Sequence, residues 1–215
     1  METVSLLWLC YCCPLFTVPQ GLLQAYCGET FTRLEAQKTT FLSYHEDAQY
    51  PTDASIFSAA TFESGGTHTA GPDRRLDHYQ PGTWNILTAL GIYAPVHGGH
   101  IVFWDLGLVV TFPPGCSILI PAGVVRYSFV KVREGEQRYS VLQWAGAGIA
   151  RWFDNGLRRD AEFAAEATCL KHEQREARRH RAHEEALDLF PINGELPEET
   201  IIYEFLGTNP DIDLD

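Results

Sequence analysis

The sequence predicts a mainly β core with helical flanks, either a sandwich or a barrel, and two observations carry this prediction. The first is a series of short apolar runs between Trp84 and Trp144, each closed by turn residues. Such spacing is typical of all-β sandwiches and barrels and not of parallel βαβ folds. The second is the stretch after Gly148, where residues 161–190 contain no Gly or Pro and are rich in Ala, Glu, Arg and Leu, a composition that favours helix.

Taken in chain order, the sequence divides into four parts. Residues 1–56 form a mixed N-terminal segment whose stretch "ETFTRLEAQKTTFLSYH" is predicted to be helical at its start. Residues 57–150 form the β core, residues 151–194 a helical extension of one long helix or two, and residues 195–215 an acidic tail. Strands of about five to seven residues are expected in the core. The turns between them are predicted at Pro95 to Gly99, Leu106-Gly107, Pro113-Pro114-Gly115, Pro121-Ala122-Gly123 and Glu134-Gly135.

Composition limits the class of protein. A chain of 215 residues is long enough for one domain with extensions, and a net charge of −12 argues against general electrostatic capture of nucleic acid. The six cysteines include a single CxxC spacing, Cys10 and Cys13, and no second one to complete a zinc site, so we expect a reduced intracellular protein, nuclear or cytoplasmic, with secretion as the alternative. The apolar opening lacks a positive n-region and is too short and broken for a membrane span. A misread start, a buried first segment and a weak signal peptide stay open.

The tripeptide Arg-Tyr-Ser occurs twice, as residues 126–128 and as residues 138–140. In the second copy the spacing of Arg138 and Ser140 places both side chains on one face of a strand. A guanidinium can donate two parallel hydrogen bonds to a carboxylate, so this face is suited to holding an organic acid. If Glu134-Gly135 forms a two-residue hairpin turn, Tyr127 lies opposite Leu142 and shares that face.

The ordered motifs "GGHIVFWDL", "FPPGCSILIP" and "GEQRYS" together resemble a group of fungal, transposon-associated proteins related to the TET/JBP dioxygenases. The resemblance covers roughly residues 57 to 196. It implies a double-stranded β-helix (jelly-roll) core and oxidation of nucleic-acid bases with Fe(II) and 2-oxoglutarate. It further implies that Arg138 and Ser140 bind 2-oxoglutarate, and that iron is held by a His-x-Asp pair early in the core and by a second His late.

The iron ligands implied by the resemblance are not matched in this sequence. The position of the late His is occupied by Tyr127, and binding by a phenolate at neutral pH costs about 4 kcal/mol before the metal compensates. The window "GPDRRLDHYQPGTW" contains no His-x-Asp pair, although Asp77 could remain as a lone carboxylate ligand. Asp77 and His78 are adjacent, so their side chains point to opposite faces of a strand. Tight binding of Fe(II) is therefore not expected.

Three functional hypotheses follow. In the first, the chain is a catalytically degenerate dioxygenase-like protein that retains binding of 2-oxoglutarate, another small carboxylate or a nucleobase. In the second, it is an active 2-oxoglutarate dioxygenase with unusual metal ligands, drawn from Asp77, His68, His78 and Tyr127. In the third, it is a non-catalytic interaction protein. The substrate and the oligomeric state are not determined by the sequence, and fold alone does not fix function.

Overall fold

The computed structural model describes residues 3–64, 79–80, 82–121, 123 and 125–187. In these residues, seven strands form two antiparallel sheets, and five helices flank them. The strands are β1 (Ala59–Ser64), β2 (Asn85–Ile92), β3 (Ile101–Phe103), β4 (Leu108–Val110), β5 (Ser117–Ile120), β6 (Tyr127–Phe129) and β7 (Gln137–Trp144). The helices are α1 (Thr3–Tyr26), α2 (Gly28–Tyr44), α3 (Ala147–Asp154), α4 (Asp160–Glu166) and α5 (Cys169–Leu187). The antiparallel, β-rich core predicted from the sequence is confirmed.

The two sheets face each other across an apolar interior. The larger sheet has the strand order β1-β7-β2-β5, and the smaller has the order β4-β3-β6. Leu87 and Leu142 from the larger sheet pack in one buried cluster with Ile101, Phe103 and Phe129 from the smaller. Because side chains alternate along a strand, every second residue of β7 points into this interior. Residues 138 and 140 share that face with Leu142.

The outer face of the larger sheet is covered by the first two helices. Leu23 of α1 and Leu34 of α2 pack with Ile86 of β2 in a second buried cluster. Gln143, on the outward face of β7, donates a hydrogen bond to the carbonyl of Leu15 in α1. This cluster gives the larger sheet two buried faces, so β2 is buried at five consecutive residues and does not show the alternation of a half-exposed strand.

The helical texture after Gly148 forms three helices in the described residues. The predicted extension, residues 151–194, contains the end of α3, which begins at Ala147, and the helices α4 and α5. The break falls at Ala167, which has an extended backbone with ψ 131°. The end of the predicted extension beyond residue 187 and the acidic tail 195–215 lie outside the described residues.

Two local predictions need correction. The strands are three to eight residues long, a wider range than the predicted five to seven. The predicted hairpin pairing of Tyr127 with Leu142 is wrong, because β6 pairs with β3 and Tyr127 lies opposite Phe103. The turn itself is present, since the N–H of Glu136 donates to the carbonyl of Arg133 at 3.1 Å. With a positive φ of 86° at Gly135, it has the geometry of a type II turn, and the chain crosses there from the smaller sheet to the larger.

The apolar opening of the chain lies in α1. Within the described ranges, no helix combines the length and the apolarity needed to cross a bilayer. Part of α1 instead packs against the larger sheet, as Leu23 shows.

Candidate functional site

The two Arg-Tyr-Ser copies face opposite ways. In the first copy, Arg126 is on the surface and forms an ion pair with Asp105 at 2.6 Å, while the Ser128 hydroxyl accepts a hydrogen bond from the indole of Trp104 at 3.0 Å. Tyr127 is the residue of that copy that points into the interior, where it packs in the core cluster. In the second copy it is the Arg and the Ser that point inward.

Arg138 is a buried cation. Its side chain lies on the inward face of β7 and is only 5% exposed. The guanidinium carbon sits 3.6 Å from the centroid of the Phe129 ring, which belongs to the opposite sheet. A guanidinium over an aromatic face is attracted by the ring quadrupole, and this attraction strengthens when the pair is desolvated. Phe129 therefore attracts the guanidinium and helps to hold it between the two sheets.

Two guanidinium donors of Arg138 have no hydrogen-bond partner. They are Nε and Nη2, and both are inaccessible to solvent. These two N–H groups lie along one edge of the planar fork, the arrangement that meets both oxygens of a carboxylate. A buried polar donor without a partner costs about 1–3 kcal/mol, and more when the group is charged. The residue thus presents an unsatisfied edge of the right shape for a carboxylate.

None of the described groups around Arg138 accepts a hydrogen bond from this edge. The hydroxyl of Tyr93 lies in hydrogen-bonding range of the guanidinium, and its own proton is donated to the carbonyl of Phe112. Burial lowers the pKa of Arg138, whereas Tyr93, Glu63 and Tyr127 act in the opposite direction. Since arginine does not deprotonate in proteins, it stays a cation here.

Ser140 is held by an acidic neighbour on the adjacent strand. Glu63 lies directly opposite Ser140 in the β1–β7 ladder, and the Ser140 hydroxyl donates to the Glu63 carboxylate at 3.0 Å. Arg138 is the diagonal neighbour of Glu63 in the same ladder, a separation of about 7–8 Å that long side chains can reach across. The site therefore contains one cation and one anion on the same inward face.

Gly91 explains how the strands approach so closely at Arg138. It lies opposite Arg138 in the β2–β7 ladder, and its φ is +113°. A Cβ built at this position would overlap the backbone carbonyl oxygen of Gln137 and lie 3.2 Å from the Cα of Arg138. Only glycine satisfies both the backbone angle and the space.

The residues proposed from the sequence as metal ligands are only partly within the structure. Tyr127 is buried, and its ring meets Phe129 edge to face with centroids 5.7 Å apart. Asp77, like His68 and His78, lies outside the described residues. In the part of the chain that the structure describes, no three His, Cys, Asp or Glu side chains are grouped so that they could hold a metal.

A surface groove of about 820 Å³ lies elsewhere, between the end of α2 and helices α3 and α4. Its aromatic wall includes Trp152, which the rings of Tyr44 and His45 each contact edge to face. Its Arg158 is already paired with Glu166 at 2.7 Å. Because Arg138 has two buried donors without a hydrogen-bond partner, we place the candidate site at Arg138.

Three residues of this site were not identified from the sequence. Phe129 could have been found, since it is two positions from Tyr127 and shares its face of β6. Glu63 and Tyr93 carried no such signal, because they come next to Arg138 only through the pairing of distant strands and the chain that follows β2.

Comparison with solved structures gives distant similarities. The structure is similar to a solved structure described as NgTET1 in complex with 5mC DNA, with a TM-score of 0.37 and 14% sequence identity. The match covers 51% of this chain and 41% of that chain, so this chain spans less than half of the length of that protein. No protein-family model matches the sequence, and no curated protein matches it.

Proposed function

We propose that this protein binds a small organic carboxylate, such as 2-oxoglutarate, on Arg138, and that it does so as a dioxygenase-like protein that does not oxidise a substrate. The observation that carries the proposal is that the Nε–Nη2 edge of the buried Arg138 has no hydrogen-bond partner. A cation that is 5% exposed, with Nε and Nη2 both unpartnered, is an incomplete polar site. A carboxylate completes it with two charge-assisted hydrogen bonds, each contributing about 1.5–3 kcal/mol.

The strand order supports a double-stranded β-helix as the fold of this core. The chain passes from the larger sheet to the smaller and back twice, and β7 lies between β1 and β2. Sheet neighbours that are distant in sequence are typical of a jelly roll, in which two Greek keys face each other. In such a core the inward faces of both sheets can contribute to one ligand site, as Arg138 and Phe129 do here.

The loss of oxidation is proposed from the chemistry of Tyr127. By sequence resemblance, its position is that of a metal-binding imidazole in TET/JBP-like dioxygenases. A phenol ionises near pH 10, about three pKa units above neutral, so presenting it as a ligand costs about 4 kcal/mol. Its burial in the core cluster beside Phe129 fits a role in packing the core. The same resemblance is the basis for proposing an origin among nucleic-acid base oxidases.

The proposal is tested by calorimetric titration of the purified protein with 2-oxoglutarate, glutarate, butyrate and 4-aminobutyrate, without added metal. We expect saturable binding of at least one of these acids to the wild type and loss of that binding in Arg138→Met. The matched control is Arg133→Met, which removes the same charge from an exposed position of the nearby turn and is expected to bind as the wild type does.

Two results would overturn the proposal. Absence of Arg138-dependent binding for all four acids would remove the carboxylate site. An anaerobic titration of the iron-loaded protein with 2-oxoglutarate that gives a visible charge-transfer band, followed by oxygen consumption with a methylated oligonucleotide, would show instead an active oxidase.

A further inference from the structure

Glu63 changes which carboxylate the site can accept. The Ser140 hydroxyl donates its proton to Glu63 and is thereby engaged with a group of this chain. A ligand carboxylate on the open edge of Arg138 would lie near an acid that is the diagonal neighbour of Arg138 in the β1–β7 ladder. The ligand thus meets one charge that attracts it and one that repels it.

The two charges of the site nearly cancel. Arg138 contributes one positive charge, and Glu63 contributes one negative charge on the same inward face. For a simple dianion such as 2-oxoglutarate, the repulsion from Glu63 works against the pairing with Arg138. A ligand that carries an ammonium group beyond its carboxylate meets complementary charge at both residues.

We propose that Glu63 is a specificity-determining residue, and that the ligand class of this site is a zwitterionic amino acid, whose carboxylate binds Arg138 and whose ammonium binds Glu63. The inference rests on the carboxylate site proposed above and narrows it. The Glu63 carboxylate is partly exposed at the end of β1, so its remaining lone pairs are free to accept from a ligand donor. Ser140 then acts as a positioning residue that holds the carboxylate of Glu63 in place.

The reach between the two groups limits the ligand size. Neighbours on the diagonal of an antiparallel ladder are about 7–8 Å apart at Cα, and both side chains extend toward the same interior. We take this interval as the scale of the ligand, a carboxylate and an ammonium separated by a few methylene groups. We therefore use 4-aminobutyrate with butyrate as one matched pair and L-glutamate with 2-oxoglutarate as a second, each pair differing in its amino group.

The experiment compares dissociation constants within each pair for the wild type, Glu63→Gln, Ser140→Ala and the control Glu134→Gln. Glu134 is an exposed acid of the turn before β7, so its variant makes the same change of net charge away from the site. The wild type is expected to favour the amino acid of a pair. In Glu63→Gln the preference should fall or reverse by about tenfold, the size of one charge interaction at this range in a partly solvated site.

The outcomes separate this inference from the proposed function. If the wild type binds no acid in a manner that depends on Arg138, both are overturned. If binding depends on Arg138 but the ratio within each pair is the same in Glu63→Gln as in the wild type, the selectivity is overturned and the carboxylate site stands. An equal change of the ratio in Glu134→Gln would assign the effect to net charge and overturn the role of Glu63. Ser140→Ala should alter the ratio less than Glu63→Gln does.

Discussion

Replacing Arg138 with Met is expected to stabilise the protein when no ligand is present. The substitution keeps an unbranched side chain of similar length and removes the two donors that have no partner. Tyr93 keeps a partner in the variant, because its hydroxyl donates to the carbonyl of Phe112. Among the described neighbours of Arg138, Glu63 is the charged group that loses the attraction of the guanidinium, and it retains its hydrogen bond from Ser140.

The magnitude follows from opposing contributions. Removing two buried unsatisfied donors is expected to contribute about 2 kcal/mol in favour of the variant, taking about 1 kcal/mol for each. Losing the stacking on Phe129 costs about 1 kcal/mol. The net gain is therefore about 1 kcal/mol.

A bound carboxylate should reverse the order. At a ligand concentration of about 100 times the dissociation constant, the wild type gains about 2.7 kcal/mol from binding, whereas the variant gains nothing. The wild type then becomes the more stable protein by about 1.7 kcal/mol. The order of stability should cross as ligand is added.

Urea unfolding followed by far-UV circular dichroism measures both states, with and without the acid that binds best. Arg133→Met is the control and should unfold as the wild type does in each condition. The reasoning is refuted if Arg138→Met is the less stable protein without ligand, since Arg138 would then hold the sheets together. It is also refuted if the acid stabilises the wild type and the variant equally.

Three further predictions concern other parts of the fold. Gly91→Ala should lower the free energy of unfolding by about 3 kcal/mol or more because of overlap with the strand beside it. Gly135→Ala, where φ is also positive but no atom lies within contact of the added Cβ, should lower the free energy of unfolding by about 1 kcal/mol in the urea assay. Equal losses in the two variants would contradict the close approach of β7 at Gly91. Burial raises the pKa of Cys27 to about 11 from 9.0, so its contribution to stability is complete below pH 9 and lost as the pH rises toward 11. Cys27→Ala should therefore reduce the dependence of the unfolding free energy on pH between these two values. An unchanged slope in the variant would contradict this prediction. Two backbone hydrogen bonds, from Ala94 and from the turn before β7, lower the pKa of Glu136, so Glu136→Ala should speed hydrogen exchange at the Ala94 amide, and unchanged exchange would contradict the contact.

The extent to which the fold could be predicted depends on whether its signals are local. The turn at Gly135 and the helices α4 and α5 depend on residues that are neighbours in the sequence, and the structure has both. The pairing of β6 was predicted wrongly, because the turn before β7 has the residues of a hairpin but joins two different sheets. Strand pairing is decided by packing between distant segments, so a short turn motif carries little information about it.

The candidate site could be predicted only in part, again because only some of its signals are local in the sequence. The spacing of Arg138 and Ser140 placed both on one face, and the structure has both facing the interior. The expectation that Tyr127 shares this interior also agrees with its packing, although it arrives there from the opposite sheet. The partner of Ser140 was unpredictable, because Glu63 comes from a strand 77 residues away, and only the ladder register brings the two together.

A buried arginine of this kind is better explained by a ligand than by folding. The protein interior between two sheets stabilises apolar groups, and an arginine that cannot lose its charge is costly there unless its donors are met. Phe129 attracts the cation but accepts no hydrogen bond from Nε or Nη2. Glu63 is close enough to attract the guanidinium, yet it accepts its hydrogen bond from Ser140. The fold thus positions an anion and a cation side by side and leaves the edge of the cation open, which is the arrangement expected where a small charged molecule completes the polar network.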